Sequence, residues 1–230
     1  MIGVSMKISE NTIEILKNFA TINGNIVINP DGRMRTITTS KNLLASATIP
    51  EVFPYKFGLY DLNEFLGAYG MIEDADIIFD DNQNWLTIKG ADSRIMYRFA
   101  AINNLVTAEK DIDDIEPDMS FTVTHEQLNT LKKASAALRA PHVEFQEADS
   151  DLRKGTVVAI VKDLKNTSTN RFVMNLGGQV HTKDSQFHMD VSNFKFIQAD
   201  EYSFKISSKN IASIETPSVN YWVALLKHRR

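Results

Sequence analysis

The sequence contains no cysteine in 230 residues, which excludes disulfide bonds and metal sites built on thiolates. It also lacks a run of about 20 apolar residues, which a membrane-spanning helix requires, and it has no N-terminal signal-peptide pattern. We therefore expect a soluble intracellular protein without membrane partners. With 43% hydrophobic and 23% charged residues, the chain is long enough for two cores of about 100 residues each.

Signatures of catalysis and of cofactor binding are also missing. The glycines form no phosphate-binding loop, and Gly177-Gly178 is typical of a turn. The five histidines do not stand at metal-ligand spacing. A cluster of four aspartates is an alternative cation site, but these residues flank the apolar positions 77–79 as the solvated ends of a strand usually do. They are Asp74, Asp76, Asp80 and Asp81. We expect no catalysis, no cofactor and no metal, although catalytic residues can also lie far apart in sequence.

The negative charge is concentrated between the two halves of the chain. The net charge is -4, and residues 111–118 carry five acidic residues and no basic one. We interpret residues 109–118 as an acidic linker between two domains, residues 1–108 and residues 119–230. A solvated surface loop is the simpler alternative for the same stretch.

The two halves repeat one order of predicted elements. Each half begins with a strand, a helix and a strand, continues through a second helical pattern, and closes on a pair of strands. In the first half these elements occupy residues 6–9, 10–22, 25–28, 60–66, 85–88 and 94–99. In the second half they occupy residues 121–124, 125–139, 142–145, 191–197, 211–214 and 220–225. We predict an α+β fold of two duplicated domains, each a β-sheet layer backed by two helices.

Local signals fix the start of two helices and one hairpin. Ser9 is an N-cap candidate for the first helix. Thr124 and Gln127 have the spacing of a capping box at the start of its counterpart. Residues 29–32, Asn-Pro-Asp-Gly, predict a turn between two strands.

Three ordered stretches carry a family resemblance. Residues 16–23, 60–67 and 220–225 resemble the corresponding stretches of the sliding clamps of T-even-type bacteriophages, and the similarity runs in register from residue 6 to residue 225. These clamps are the processivity factors of phage DNA polymerases. The resemblance implies two DNA-clamp domains per subunit and a closed trimeric ring, similar in architecture to proliferating-cell nuclear antigen, with helices around a central hole for duplex DNA.

By the same resemblance the protein is a sliding clamp that encircles duplex DNA and tethers the replicative DNA polymerase. An ATP-dependent clamp loader is the implied partner for loading, and late transcription factors are further implied partners in viral transcription. The implied location is the cytoplasm of the infected bacterial host. Two rival hypotheses stay open: a structural β-rich virion protein that assembles without enclosing DNA, and a hydrolase with dispersed catalytic residues.

Helical periodicity places several basic residues on faces opposite the apolar stripes. If those helices face the duplex, as the resemblance implies, their cations attract phosphates without reading bases. The predicted DNA-facing residues are Lys17, Lys132, Lys133, Arg139 and Lys195, the last on the predicted fourth helix. Arg33, Arg35 and Lys41 are further candidates at a hairpin rim. For each of these residues a solvated surface is the alternative.

The resemblance also implies two protein contact sites. Subunits are expected to join residues 94–99 of one chain to residues 171–176 of its neighbour, since exposed strand edges favour pairing. The predicted interface residues are Ile95, Tyr97, Phe172 and Met174. The predicted partner pocket comprises Leu44, Leu105, Val106, Trp222 and Leu225, although each of them taken singly is more typical of a core than of a pocket. The basic tip at residues 227–230 departs from the acidic tails of the family.

Overall fold

The computed structural model describes residues 4–80, 84–108, 112, 114–166 and 168–227. They form two compact units, which divide between residues 110 and 111. Parts of the predicted acidic linker, including Asp111 and Asp113, lie outside the described residues, as do Asp81 and residues 228–230 of the basic tip. Within the described ranges, no helix is both long and apolar enough to cross a membrane.

Unit 1 contains two helices and two sets of paired strands. The helices are α1 (Glu10–Ile22) and α2 (Leu62–Gly70). The strands are β1 (Ser5–Met6), β2 (Ile26–Ile28), β3 (Arg33–Ile37), β4 (Leu43–Thr48), β5 (Phe57–Leu59), β6 (Asp76–Phe79), β7 (Trp85–Lys89) and β8 (Arg94–Arg98). They pair in the orders β1-β6-β7-β8 and β4-β3-β2-β5, all antiparallel. The predicted turn at residues 29–32 joins β2 to β3.

Unit 2 repeats this plan. Its α-helix is α3 (His125–Leu138). Its strands are β9 (Met119–Thr124), β10 (His142–Glu147), β11 (Val157–Lys162), β12 (Phe172–Gly177), β13 (Gln179–Val180), β14 (Gln186–Asp190), β15 (Glu201–Ser207), β16 (Ile211–Glu215) and β17 (Asn220–Ala224). They pair in the orders β13-β9-β15-β16-β17 and β12-β11-β10-β14. Except for the added β13, each strand has a counterpart in unit 1, so the predicted α+β duplication is confirmed.

Helix α1 begins where the sequence predicts, and a distant carboxylate reinforces its start. The Ser9 hydroxyl accepts the Thr12 N–H at 3.3 Å, as an N-cap does. Buried Glu51 accepts the Ser9 N–H at 2.7 Å and the Thr12 hydroxyl at 2.6 Å. Burial opposes ionisation of Glu51, but these hydrogen bonds prevail and lower its pKa. The negative charge therefore lies at the end of the helix where the dipole favours it.

The start of α3 is the predicted capping box. The Thr124 hydroxyl accepts the Gln127 N–H at 3.2 Å, and the Gln127 side chain accepts the Thr124 N–H at 2.9 Å. Leu128 and Leu131 are the buried residues of this helix. The helix ends at Leu138, and the residue that caps it, Arg139, adopts the left-handed conformation.

The predicted fourth helix, residues 191–197, is wrong, because only one 3-10 turn forms there, Val191–Asn193. Two tyrosine hydroxyls satisfy the following backbone instead: Ile197 donates its N–H to Tyr221 at 2.8 Å, and Tyr202 donates to the Ile197 carbonyl at 3.1 Å. The Phe196 ring lies 4.9 Å from that of Tyr221. Extended chain buries these aromatic residues, so unit 2 has one α-helix among its described residues rather than two.

The added strand β13 covers the outer edge of β9. Gly177 and Gly178 both have φ of +73°, which permits the sharp reversal after β12. A Cβ atom on Gly178 would lie 2.4 Å from the Ser120 carbonyl oxygen, so no larger residue fits there. Asp118 secures the same corner, since its carboxylate accepts the Thr182 hydroxyl and the Ser208 N–H.

Candidate nucleic-acid and partner interfaces

Helix α3 carries the most concentrated of the predicted DNA-facing cations. Lys133 and Arg139 are exposed, while Lys132 is half-buried at the margin of the apolar stripe. Burial lowers the pKa of Lys132, because desolvation disfavours the charged ammonium. An approaching phosphate would oppose that shift. Lys132, Lys133 and Arg139 therefore place up to three positive charges within about two helical turns at the C-terminal half of α3.

The helices of unit 1 have a different charge. Lys17 is exposed on α1, as predicted, but Glu10 and Glu14 are exposed on the same helix. On α2, Glu64 is exposed and no lysine or arginine is present. Phosphates would therefore be attracted mainly by α3. Net charge per helix, read from the sequence, could have revealed this asymmetry.

Lys195 does not lie on a helix. It follows the 3-10 turn Val191–Asn193, and its N–H donates to the Asn193 carbonyl at 2.8 Å. Its side chain is half-buried. Its predicted place on a helical face is therefore wrong, because the fourth helix does not form.

The hairpin-rim candidates are dispersed. The Arg33 Nε lies 2.7 Å from an Asp31 carboxylate oxygen, and Lys41 occupies a turn with φ of +57°. Arg35 lines a cleft, described below, instead of a rim. Among the described residues no group of three or more histidines and carboxylates could hold a metal, and Asp74 pairs with Lys7.

The strands predicted to join subunits lie at the edges of their sheets. Strand β8 ends the order β1-β6-β7-β8, and β12 ends the order β12-β11-β10-β14. Ile95, Phe172 and Met174 are half-buried. Each edge offers backbone N–H and C=O groups for a further strand.

Tyr97 is buried within its own unit. Its hydroxyl donates to the Asp61 carbonyl at 3.1 Å, its ring lies 5.5 Å from that of Phe65, and burial raises its pKa to about 12. The alternate positions are the accessible ones, with Met96 60% exposed on β8 and Val173 39% exposed on β12. The alternation of side chains along a strand places Tyr97 and Met96 on opposite faces of β8. The sequence alone does not indicate which of the two faces is buried.

The predicted partner-pocket residues belong to both units. In unit 1, Leu44 is buried, Leu105 is half-buried and Val106 is exposed. In unit 2, Trp222 is half-buried and Leu225 is buried. Only Leu105 of these five lines the cleft found in unit 1.

That cleft has a volume of about 660 Å³. Its described lining combines cations, polar groups and apolar side chains and includes no carboxylate. Its lining residues are Val27, Asn29, Arg35, Lys56, Ile102, Asn103, Leu105, Thr107 and Ala108. The two cations of the described lining, Arg35 and Lys56, and its apolar side chains suit a peptide with both carboxylate and apolar side chains. Arg35 and Lys56 were not among the predicted pocket residues, because only the fold brings them to residues 102–108.

Residues 100–106, which we call the arch, form one wall of the cleft. The Ala100 N–H donates to the Gly58 carbonyl at 2.9 Å. A Cβ atom on Gly58 would lie 2.6 Å from a methyl group of Leu105, so the bare Cα lets the arch pack closely. The middle of the arch is the 3-10 turn Ile102–Asn104.

Comparison with known proteins agrees with the fold. The family described as DNA polymerase processivity factor matches residues 7–112. The sliding clamp of Vibrio phage KVP40 is 27% identical over 95% of this chain and 98% of its own. The sliding clamp of Enterobacteria phage T4 is 25% identical over 96% of each chain.

Among solved structures, the PCNA of A. fulgidus, bound to the C-terminal region of FEN-1, has a TM-score of 0.67 at 15% identity and covers both chains fully. At that identity the likeness shows the fold alone. Sequence similarity over nearly the whole chain and the shared fold together confirm the predicted resemblance to the sliding clamps of T-even-type phages and to DNA polymerase processivity factors.

Proposed function

We propose that this protein is a homotrimeric sliding clamp that encircles duplex DNA and tethers the replicative polymerase. The observation that carries this proposal is similarity to phage sliding clamps along 95% of the chain, on a duplicated fold shared with PCNA. The protein acts by enclosure and not by catalysis. A clamp loader places it on DNA in the infected bacterium, and late transcription factors use the same ring as a platform.

Weak attraction to DNA suits this role. A ring that encloses the duplex needs no tight grip, and a few cations per subunit keep phosphates near while salt loosens each contact. The overall charge of -4 limits adhesion of other surfaces to DNA. The concentration of cations on α3 supports a contact that is positive but sparse.

Ring closure is proposed to occur between β8 of one subunit and β12 of the next. A head-to-tail junction of two different edges closes into a ring when the rotation per subunit fits, and it pairs both of these edges. The exposed Met96 and Val173 make useful probes, because they can be changed without disturbing a unit core. Tyr97 cannot serve in this way, since it is buried in unit 1.

We expect a Met96→Lys, Val173→Lys double variant to remain folded but to lose the trimer. Ammonium groups on both joining strands would repel and would carry charge into the junction. Mass determination by light scattering at several concentrations measures the effect. Val52→Lys, at a position 73% exposed in unit 1, is the control and should keep the parental mass. A trimer that survives in the double variant argues against this junction.

Enclosure itself has a topological test. With the clamp loader and ATP, the protein should be retained on nicked circular DNA and be lost once the circle is cut, because a threaded ring leaves by sliding off an end. Gel filtration of the labelled protein with DNA measures the retained fraction before and after cutting. Equal retention on both forms contradicts enclosure, and a protein that assembles but never associates with DNA indicates the structural virion role.

The unit 1 cleft is proposed as part of the partner site. Leu105, Val27 and Ile102 provide apolar contact, and Arg35 and Lys56 provide positive charge. We therefore propose that the polymerase inserts a segment in which acidic and apolar side chains are combined. The FEN-1 region bound to the A. fulgidus clamp supports peptide capture as a mode of recognition on this fold.

A further inference from the structure

We propose that Asn23 and Asn25 are positioning residues that hold the arch in place beside the unit 1 cleft, and so control the affinity for the polymerase. The inference rests on the proposed function, because it assumes that the cleft receives the partner. Neither side chain lines the cleft itself.

The two asparagines hold one residue of the arch, Val106, through both its N–H and its carbonyl. The Asn23 Nδ2 donates to the Val106 carbonyl at 3.2 Å, and the Val106 N–H donates to the Asn25 Oδ1 at 3.0 Å. Side-chain amides thus supply the donor and the acceptor that a neighbouring strand would otherwise give. Val106 lies next to Leu105, which faces the cleft.

The asparagines are themselves held firmly. Asn23 Nδ2 also donates to the Ile37 carbonyl at 2.8 Å, and its Oδ1 accepts the Asn25 N–H at 3.0 Å. Asn25 Nδ2 donates to the Tyr60 carbonyl at 2.6 Å. The turn between α1 and β2 is therefore tied to the end of β3 and to the approach to α2, which gives the arch a rigid support.

Among the described residues, the arch makes few other hydrogen bonds. Near its first residue it is joined to Gly58, and within it the Asn104 and Leu105 N–H groups bond only locally, to Ala101 and Ile102. The arch is thus attached to the rest of unit 1 by hydrogen bonds at its two ends, at Ala100 and at Val106. Loss of the pair would free the end that carries Leu105, and a partner would then have to order that end at an entropic cost.

The test uses an Asn23→Ala, Asn25→Ala double variant of the full chain. Thr38→Ala is the control, because the Thr38 hydroxyl is half-buried in unit 1 and bonds to Asn42 and Leu43 within the β3–β4 turn. Amide hydrogen exchange at residues 100–108, affinity for the purified cognate replicative polymerase, and retention on nicked circles are measured for each protein.

We expect amide exchange at Val106 to accelerate about tenfold in the double variant, and affinity for the polymerase to fall by a similar factor. Retention on circles should equal that of the parent, and Thr38→Ala should change neither exchange at Val106 nor affinity. Unchanged affinity in a variant with accelerated exchange overturns the positioning role, and so does unchanged exchange. Failure of the proposed function looks different, because the parent protein itself would then not bind the polymerase.

Discussion

Alanine at Lys132, Lys133 and Arg139 together should impair loading on DNA while the trimer mass stays the same. These residues carry the concentrated positive charge of α3, and each lost phosphate contact lowers the slope of log affinity against log salt by about 0.9. For three contacts we expect the slope to fall by roughly 3 and loading at moderate salt to fall about tenfold or more. The measurement is the fraction of nicked circles that retain protein, over a series of salt concentrations.

A charge-matched control separates this local effect from a loss of net charge. Lys154, Lys165 and Lys183 are exposed loop residues of the same unit and lie outside α3. Their triple alanine variant should load nearly as well as the parent. Lys17→Ala should also have a small effect, because Glu10 and Glu14 offset that charge on α1. Normal loading of the α3 variant at moderate salt would mean that α3 does not face the duplex.

The second large effect is expected at a buried ion cluster in unit 2. Glu144 on β10 lies directly opposite His188 on β14, and both side chains are buried. The Glu144 Oε2 lies 2.6 Å from the His188 Nε2 and 2.6 Å from the Lys162 Nζ. Burial opposes ionisation of Glu144, but these two partners prevail and hold its pKa at about 2.

We expect Glu144→Gln to lower the free energy of unfolding of unit 2 at pH 7 by about 3 kcal/mol. The low pKa relative to the ordinary 4.5 corresponds to that amount of stabilisation, and the variant leaves Lys162 and His188 without their carboxylate. Urea titration followed by circular dichroism measures it. Glu147→Gln, on the same strand β10, is the matched control and should cost less than about 1 kcal/mol.

The pH dependence has a defined direction. Because the folded-state pKa of Glu144 is below the unfolded one, its stabilisation is fully present above about pH 4.5 and is lost as the pH falls towards 2. The parent should therefore lose more stability between these values than the Glu144→Gln variant. Parallel losses in both proteins would show that Glu144 is not responsible for acid sensitivity.

Elements with both a cap and an apolar period could be predicted from the sequence. Helix α1 has Ser9 as its cap and Ile15, Leu16 and Phe19 on one face, so its bounds follow from local physics. The duplication can be predicted because the same order of helix caps, helical periods and strand patterns occurs in both halves of the sequence. The prediction at residues 191–197 fails because their apolar spacing also fits a helix, whereas the hydroxyl groups of Tyr202 and Tyr221, which lie outside this segment, bond its backbone at Ile197.

The candidate sites were less accessible to sequence reasoning. The predicted strand edges are present, but the burial of Tyr97 depends on Phe65 and Asp61, which lie over 30 residues away. The Asn23 and Asn25 contacts reach Val106 across about 80 residues, and no local pattern encodes them. Cations of α3 were found because helical periodicity exposes them, whereas Arg35 and Lys56 meet the arch only in the folded unit.

The strand β13 makes the two repeated units structurally unequal, because unit 1 has no counterpart of it among its described residues. Because β13 pairs with the outer edge of β9, that edge cannot pair with a strand of another protein molecule. This pairing depends on Gly178, where a single methyl group would collide with Ser120. A substitution at Gly178 would therefore displace β13 and expose the N–H and C=O groups of the β9 edge. The expected consequence is aggregation of the protein in the cell.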